Sequence, residues 1–162
     1  MKTSTRPSQL KDEKAMQSFI EKFSGENVAM PQLSPEALED FYAFGYGLYD
    51  SGQYENAMHY FRFLTLVDMQ NRKHWMGLGA SYQMLKEYDR ALQSYGYAAL
   101  LDENDPNAHF HAAECFFANN QAEPGNQALS SAKTAALLEP EKYKSLLARI
   151  ELMNERKEKS NK

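Results

Sequence analysis

The chain has a single cysteine, Cys115, so no internal disulfide can form, and that usage suits a reducing compartment. It has no run of about 18 apolar residues, the length a membrane-crossing helix needs. Its opening, MKTSTRPSQLKDEKAMQ, lacks the apolar core of a signal peptide. There is no basic block before the tail: 18 Lys and Arg stand against 22 Asp and Glu, for a net charge of −4. A face able to displace counterions from phosphates is therefore missing, which argues against nucleic acid as a partner. No phosphate-cradling glycine loop, nucleophile elbow or His-Glu-x-x-His motif is present, so no enzyme and no cofactor is expected. These absences predict a soluble cytoplasmic protein without a membrane or nucleic-acid partner.

What is present is a repeat. Three stretches align when shifted by 34 residues: Gly45, Gly79 and Ala113; Leu48, Tyr82 and Phe116; Ala57, Ala91 and Gly125; Phe61, Tyr95 and Leu129. The middle copy reads Trp75-x-x-Leu78-Gly79-x-x-Tyr82, followed by Tyr88 and Ala91, the tetratricopeptide signature. Two helices per 34 residues predict an all-α tetratricopeptide-repeat solenoid of three helix-turn-helix units, a fold that mostly holds other polypeptides.

The expected organisation has three parts. Residues 1–33 form an N-terminal amphipathic helix and connector, with Met16, Phe19, Ile20 and Phe23 at i, i+3, i+4, i+7 on one stripe. Residues 34–139 hold repeats at about 38–71, 72–105 and 106–139. Ser34-Pro35-Glu36 reads as a helix start, with a capping Ser, Pro at the first helical position and an acid at the positive dipole end. Residues 140–162 form a capping helix, with Tyr143, Leu146, Leu147 and Ile150 on one face and a charged tail beyond. A terminal repeat exposes a core face that something must cover.

Within each unit, small residues belong where helices cross: Gly45 with Ala57, Gly79 with Ala91, Ala113 with Gly125. Phe41, Phe44, Leu48 and Phe61 fill the first unit, and Trp75, Leu78, Tyr82 and Tyr95 the second. Tyr95 carries a hydroxyl that wants a partner, so it is also a candidate for facing a groove. The third unit departs from the pattern, with His109 in place of the large aromatic, and rests on register more than on identities.

Subtracting the core stripe leaves a second one. Tyr42, Tyr46 and Tyr49 sit at i, i+4, i+7 on another face of the first helix, which lines the concave surface in this fold. Equivalent positions hold Met76, Ala80 and Gln83, then Phe110, Glu114 and Phe117. Phe63 and Val67 join them, off the core stripe of the second helix. A wall of Tyr, Phe and Met suits extended apolar peptide, and it lacks the Lys, Arg and Asn that would clamp an acidic tail. The competing use of these residues is packing against the N-terminal segment or a neighbouring protomer. His109, His111, Glu114 and Cys115 raise a metal reading, but His109 and His111 point about 200° apart on a helix, and two or three ligands fall short of a structural zinc site. No metal is expected.

Residues 34–138 resemble the tetratricopeptide-repeat class II chaperones of type III secretion translocators. The resemblance lies in Leu48-Tyr49-Asp50-Ser51-Gly52-Gln53-Tyr54-Glu55-Asn56-Ala57, in Met76-Gly77-Leu78-Gly79-Ala80 and above all in Phe110-His111-Ala112-Ala113-Glu114-Cys115. It implies a chaperone without an ATP cycle that binds short extended anchor segments near the N-terminus of each of two hydrophobic translocators, major and minor. Tyr42, Tyr46, Tyr49, Phe63 and Val67 match groove-lining positions of that family. The family also implies a homodimer through the N-terminal region, here Met16, Phe19, Ile20 and Phe23. A generic repeat adaptor, or a regulatory partner of a transcription factor, remains the alternative.

Overall fold

A computed structural model describes residues 32–160 of the 162-residue chain. Met16, Phe19, Ile20 and Phe23, with the N-terminal helix expected around them, lie outside the described residues. Within the described part the elements are α1 (Pro35–Asp50), α2 (Tyr54–Val67), α3 (Arg72–Met84), α4 (Tyr88–Leu101), α5 (Pro106–Ala118), α6 (Ala122–Ala136) and α7 (Lys144–Ser160). The chain divides into two compact units, the first ending at Leu85 and the second starting at Lys86.

Helix starts follow local chemistry. Ser34 is extended, and its Oγ accepts from the Ala37 amide at 3.2 Å, with Pro35 and Glu36 in the first turn. Asp105 caps α5 the same way, accepting from the Asn107 amide at 2.7 Å ahead of Pro106. Asn71 caps α3 through the Lys73 amide at 3.2 Å. Each satisfies an amide that has no partner within the helix. The turns inside the helix pairs share a backbone device. Gly52, Lys86 and Asn120, spaced by 34, have φ of 82°, 62° and 59°. Around Gly52 and Asn120 the last carbonyls are met by paired bonds, Gln53 N–H to Leu48 O at 2.9 Å and Gln121 N–H to Phe116 O at 2.8 Å. The repeat is thus written in backbone conformation even where its residues differ.

In the first unit α2 is covered by α1 on one side and α3 on the other. Phe61, 1% exposed, lies between two glycines. A Cβ built on Gly45 would stand 3.5 Å from its ring, and one built on Gly77 only 2.5 Å. Gly77 therefore lets α3 approach α2. Two core expectations are adjusted: Phe44 is half-buried, stacked on Tyr60 at 4.9 Å, and Trp75 is half-buried with its indole N–H donating to Met69 O at 2.8 Å. In the second unit Phe110, Ala113, Leu129, Ala132 and Ala136 form a core closed by Leu146 and Ile150 of α7. Helix α6 stops at Ala136, and the Leu138 amide turns back to Ala135 O at 3.1 Å. Burying Leu146 and Ile150 contributes on the order of 3–6 kcal/mol, whereas the exposed Lys133–Glu151 pair beside them, at 2.6 Å, adds at most about 1 kcal/mol. Apolar burial holds the cap in place.

Candidate peptide-binding site

A second face of α1, beside its core stripe, carries the three tyrosines. Tyr42 and Tyr46 stack with centroids 6.5 Å apart and planes 22° apart. Tyr46 is 55% exposed. Tyr42 is half-buried, its ring edge-on to Phe61 at 5.7 Å and 6.1 Å from His74. Lys73 Nζ lies 4.9 Å over that ring and pairs with Glu39 at 2.7 Å. Burial raises the Tyr42 phenol above its ordinary pKa, opposed by the Lys73 charge. Tyr49 is half-buried and meets Tyr54 edge-on at 5.3 Å. Val67, Met76 and Gln83 are half-buried in the same unit.

Three residues expected on the binding face are core instead. Phe63 is 2% exposed and packs on Phe41 at 5.3 Å, because α2 is packed between α1 and α3 and its solvent-facing stripe is Glu55, Arg62 and Leu66 instead. Tyr95, 1% exposed, is stacked on the His111 ring at 5.5 Å, so its hedged place in the core holds and its place in a groove does not. Phe110, 1% exposed, is sealed by α7, whose Arg149 guanidinium lies 4.4 Å over its ring. Phe117 stays half-exposed, but its ring lies on Gly125, where an added Cβ would stand 2.5 Å from it.

Other residues emerge only from the fold. His74 is 1% exposed beneath Tyr42, its Nδ1–H donating to Asp68 O at 3.2 Å. Burial holds its pKa below the ordinary value, against the pull of the Asp68 carbonyl and carboxylate. His111 Nδ1 meets Glu114 Oε2 at 2.8 Å, and Glu114 Oε1 meets Arg149 at 3.2 Å. Cys115 is fully buried, and burial, with the Glu114 charge second, pushes its thiol up to about 12. Such a thiol is inert as a nucleophile. Among the described residues no three His, Cys, Asp or Glu side chains gather as a metal would need, and no helix is long and apolar enough to cross a membrane.

A tetratricopeptide-repeat family model matches residues 38–71 and 73–105. The low calcium response locus protein H of Yersinia pseudotuberculosis is 34% identical over 141 residues, covering 87% of this chain and 83% of that protein. The type III secretion translocator chaperone SycD of Yersinia enterocolitica, solved in an alternative dimer, superposes with a TM-score of 0.76 at 31% identity, over 82% of this chain and 99% of its own. The chain belongs to the family of type III secretion translocator chaperones. A second SycD structure, with a peptide of the translocator YopD, gives a TM-score of 0.75 at 32% identity, over 82% and 100% of the two chains. PcrH of Pseudomonas aeruginosa, solved with the chaperone binding region of PopD, gives 0.77 at 34% identity, over 83% and 100%. The third helix pair of the chaperone falls outside the matched repeat residues, yet it keeps Ala113 and Gly125 buried. There the Phe117 ring lies on Gly125.

Proposed function

We propose that this chaperone binds short extended segments of hydrophobic translocators, major and minor, on the aromatic face of α1. It thereby keeps those proteins soluble, unpaired and secretion-competent in the bacterial cytoplasm. The observation that carries the reading is the stack of Tyr42 and Tyr46, in which Tyr42 is half-buried against Phe61 and His74 and Tyr46 is 55% exposed, an outward-facing ring that fold stability does not require. Aromatic side chains supply large contact area at low entropic loss, and their hydroxyls can meet a peptide backbone. Tyr49, Val67 and Met76, half-buried in the same unit, extend the apolar surface, and Gln83 adds a polar side chain to it. PcrH with the chaperone binding region of PopD, and SycD with a YopD peptide, support the assignment by relationship. The task is competitive binding with no chemical step, so the chain acts as a holder and not as an enzyme. Buried area alone does not set the affinity, and release at the secretion machinery requires that it stay moderate. A homodimer through the N-terminal segment completes the proposal, supported by the dimeric SycD relative.

Labelled peptides covering the chaperone binding region of PopD and the YopD segment provide the test. Tyr46→Ala alone, and Tyr42→Ala with Tyr46→Ala, should keep the helical circular dichroism signal. Truncating hot-spot rings removes roughly 1–2 kcal/mol each, so the double variant should bind about 30-fold more weakly or worse. Binding equal to the parent's would place the site elsewhere.

A further inference from the structure

Glu39 and Lys73 hold the same position in successive repeats, 34 residues apart, and within the first unit they meet beside the tyrosine stripe. We propose that Lys73 sets the affinity of the client site by occupying the place over the Tyr42 ring that an apolar anchor of the client takes. The inference rests on the function proposed above and deepens it, because it names the group a client must displace.

Lys73 is the second residue of α3, and its amide is fixed by the Asn71 cap at 3.2 Å. From there its side chain crosses to α1. The ammonium lies 4.9 Å over the Tyr42 ring and 2.7 Å from Glu39 Oε1. Other neighbours of that ring are Phe61, edge-on at 5.7 Å, His74 at 6.1 Å and Tyr46, stacked at 6.5 Å. Phe61 and His74 are each 1% exposed, so they form the floor beneath Tyr42. Lys73, 47% exposed, stands on the solvent side. A segment arriving at the stack meets Tyr46 at once, but it reaches the face of Tyr42 under Lys73 only by moving the ammonium.

A purely structural role is the weaker explanation. Tyr42 is already held by three rings, and an exposed cation–π contact or ion pair adds little to stability. Attraction of a charged client is also poorly served, since Glu39 balances Lys73 at 2.7 Å. The ammonium is instead well placed to leave. Its head is in water, and on giving up the ring it keeps Glu39 or gains solvent, so displacement loses little beyond the cation–π contact. An apolar side chain then covers the ring and buries its own surface there. The aromatic face is thus partly covered when empty, and its affinity is held below what the bare rings would give.

The labelled PopD and YopD peptides are titrated against the full chain and against Lys73→Ala, Glu39→Ala, Tyr46→Ala, Tyr42→Leu and Tyr42→Leu with Lys73→Ala, each checked by circular dichroism. Lys73→Ala should bind both peptides about two- to fivefold tighter, the scale of one exposed cation–π contact. The same change made in Tyr42→Leu should bring no gain, because the competition acts through the ring. Glu39→Ala loosens the ammonium and should tighten binding as well, by less. Equal or weaker binding by Lys73→Ala, while Tyr46→Ala loses affinity, overturns the inference and leaves the proposed function standing. A gain of the same size with Leu at position 42 assigns repulsion between Lys73 and the peptide's charge, and overturns it. A gain in Lys73→Ala matched by a loss in Glu39→Ala assigns a client cation in place of an apolar anchor, and overturns it. If the parent takes up neither peptide, or Tyr46→Ala and Tyr42→Leu bind as the parent does, the proposed function fails and this inference fails with it.

Discussion

Replacing Gly77 with alanine adds one methyl group to α3 at the point where α3 meets α2. The added carbon would stand 2.5, 2.6 and 2.7 Å from three atoms of the Phe61 ring, where ordinary contact begins near 3.4 Å. The ring cannot retreat: it is 1% exposed, Gly45 backs it on the other side, and Tyr42 meets its edge at 5.7 Å. Overpacking of a closed core costs about 1–3 kcal/mol, and the better helix propensity of alanine returns about 1 kcal/mol. With three ring atoms in conflict the upper part of that range applies. The net loss should be about 1–2 kcal/mol, or roughly 2–8 °C in the midpoint of a chain this size. Gly47→Ala is the internal control, because a Cβ there meets nothing within 4 Å. It should gain about 1 kcal/mol from propensity alone. Gly125→Ala falls between, since the Phe117 ring it strikes at 2.5 Å is half-exposed and can swing outward. Urea and thermal unfolding of the three variants, followed by circular dichroism, measure the ordering. If Gly77→Ala is as stable as the parent, or gains as Gly47→Ala does, the packing of α3 on Phe61 is wrong.

Two further outcomes are expected. His74 has a pKa depressed below its ordinary value near 6.5 by burial, so the folded chain binds fewer protons than the unfolded one. Its contribution is present above pH 6.5 and is lost as the pH falls through that value, by up to about 1.4 kcal/mol per unit. Urea midpoints of the parent should therefore drop between about pH 6.5 and 5, and those of His74→Gln should drop less; equal slopes would rule His74 out as the cause. Phe19→Asp with Ile20→Asp places two charges on the apolar stripe of the N-terminal segment. Light scattering should then return the 18.6 kDa of one chain, and an unchanged mass would exclude this stripe as the dimer contact.

The helices were legible because their signals are local. Ser34-Pro35, Asp105-Pro106 and Asn119-Asn120 act on amides and carbonyls within a turn of themselves, so start and stop residues can be read one segment at a time. The tyrosine stripe on α1 was legible for a similar reason: i, i+4, i+7 spacing assigns a face whatever that face later meets. The turn at Lys86 was not, because nothing in a lysine announces a positive φ, and only alignment with Gly52 and Asn120 makes it intelligible.

The sequence by itself determined the repeat, the helix pairs, the family and the presence of an aromatic surplus beyond the core. Only the tertiary structure decided which aromatics are surplus. Phe63 and Phe110 sit at positions that periodicity places on a second face, yet burial depends on how many neighbours a helix has. Helix α2 has two, and α5 is roofed by α7. The same long-range packing made Gly77 a seat for the Phe61 ring and carried Arg149, 35 residues along the chain, to Glu114. Periodicity assigns a side chain to a face; only the arrangement of neighbouring helices says whether that face meets solvent, a second helix or a guanidinium.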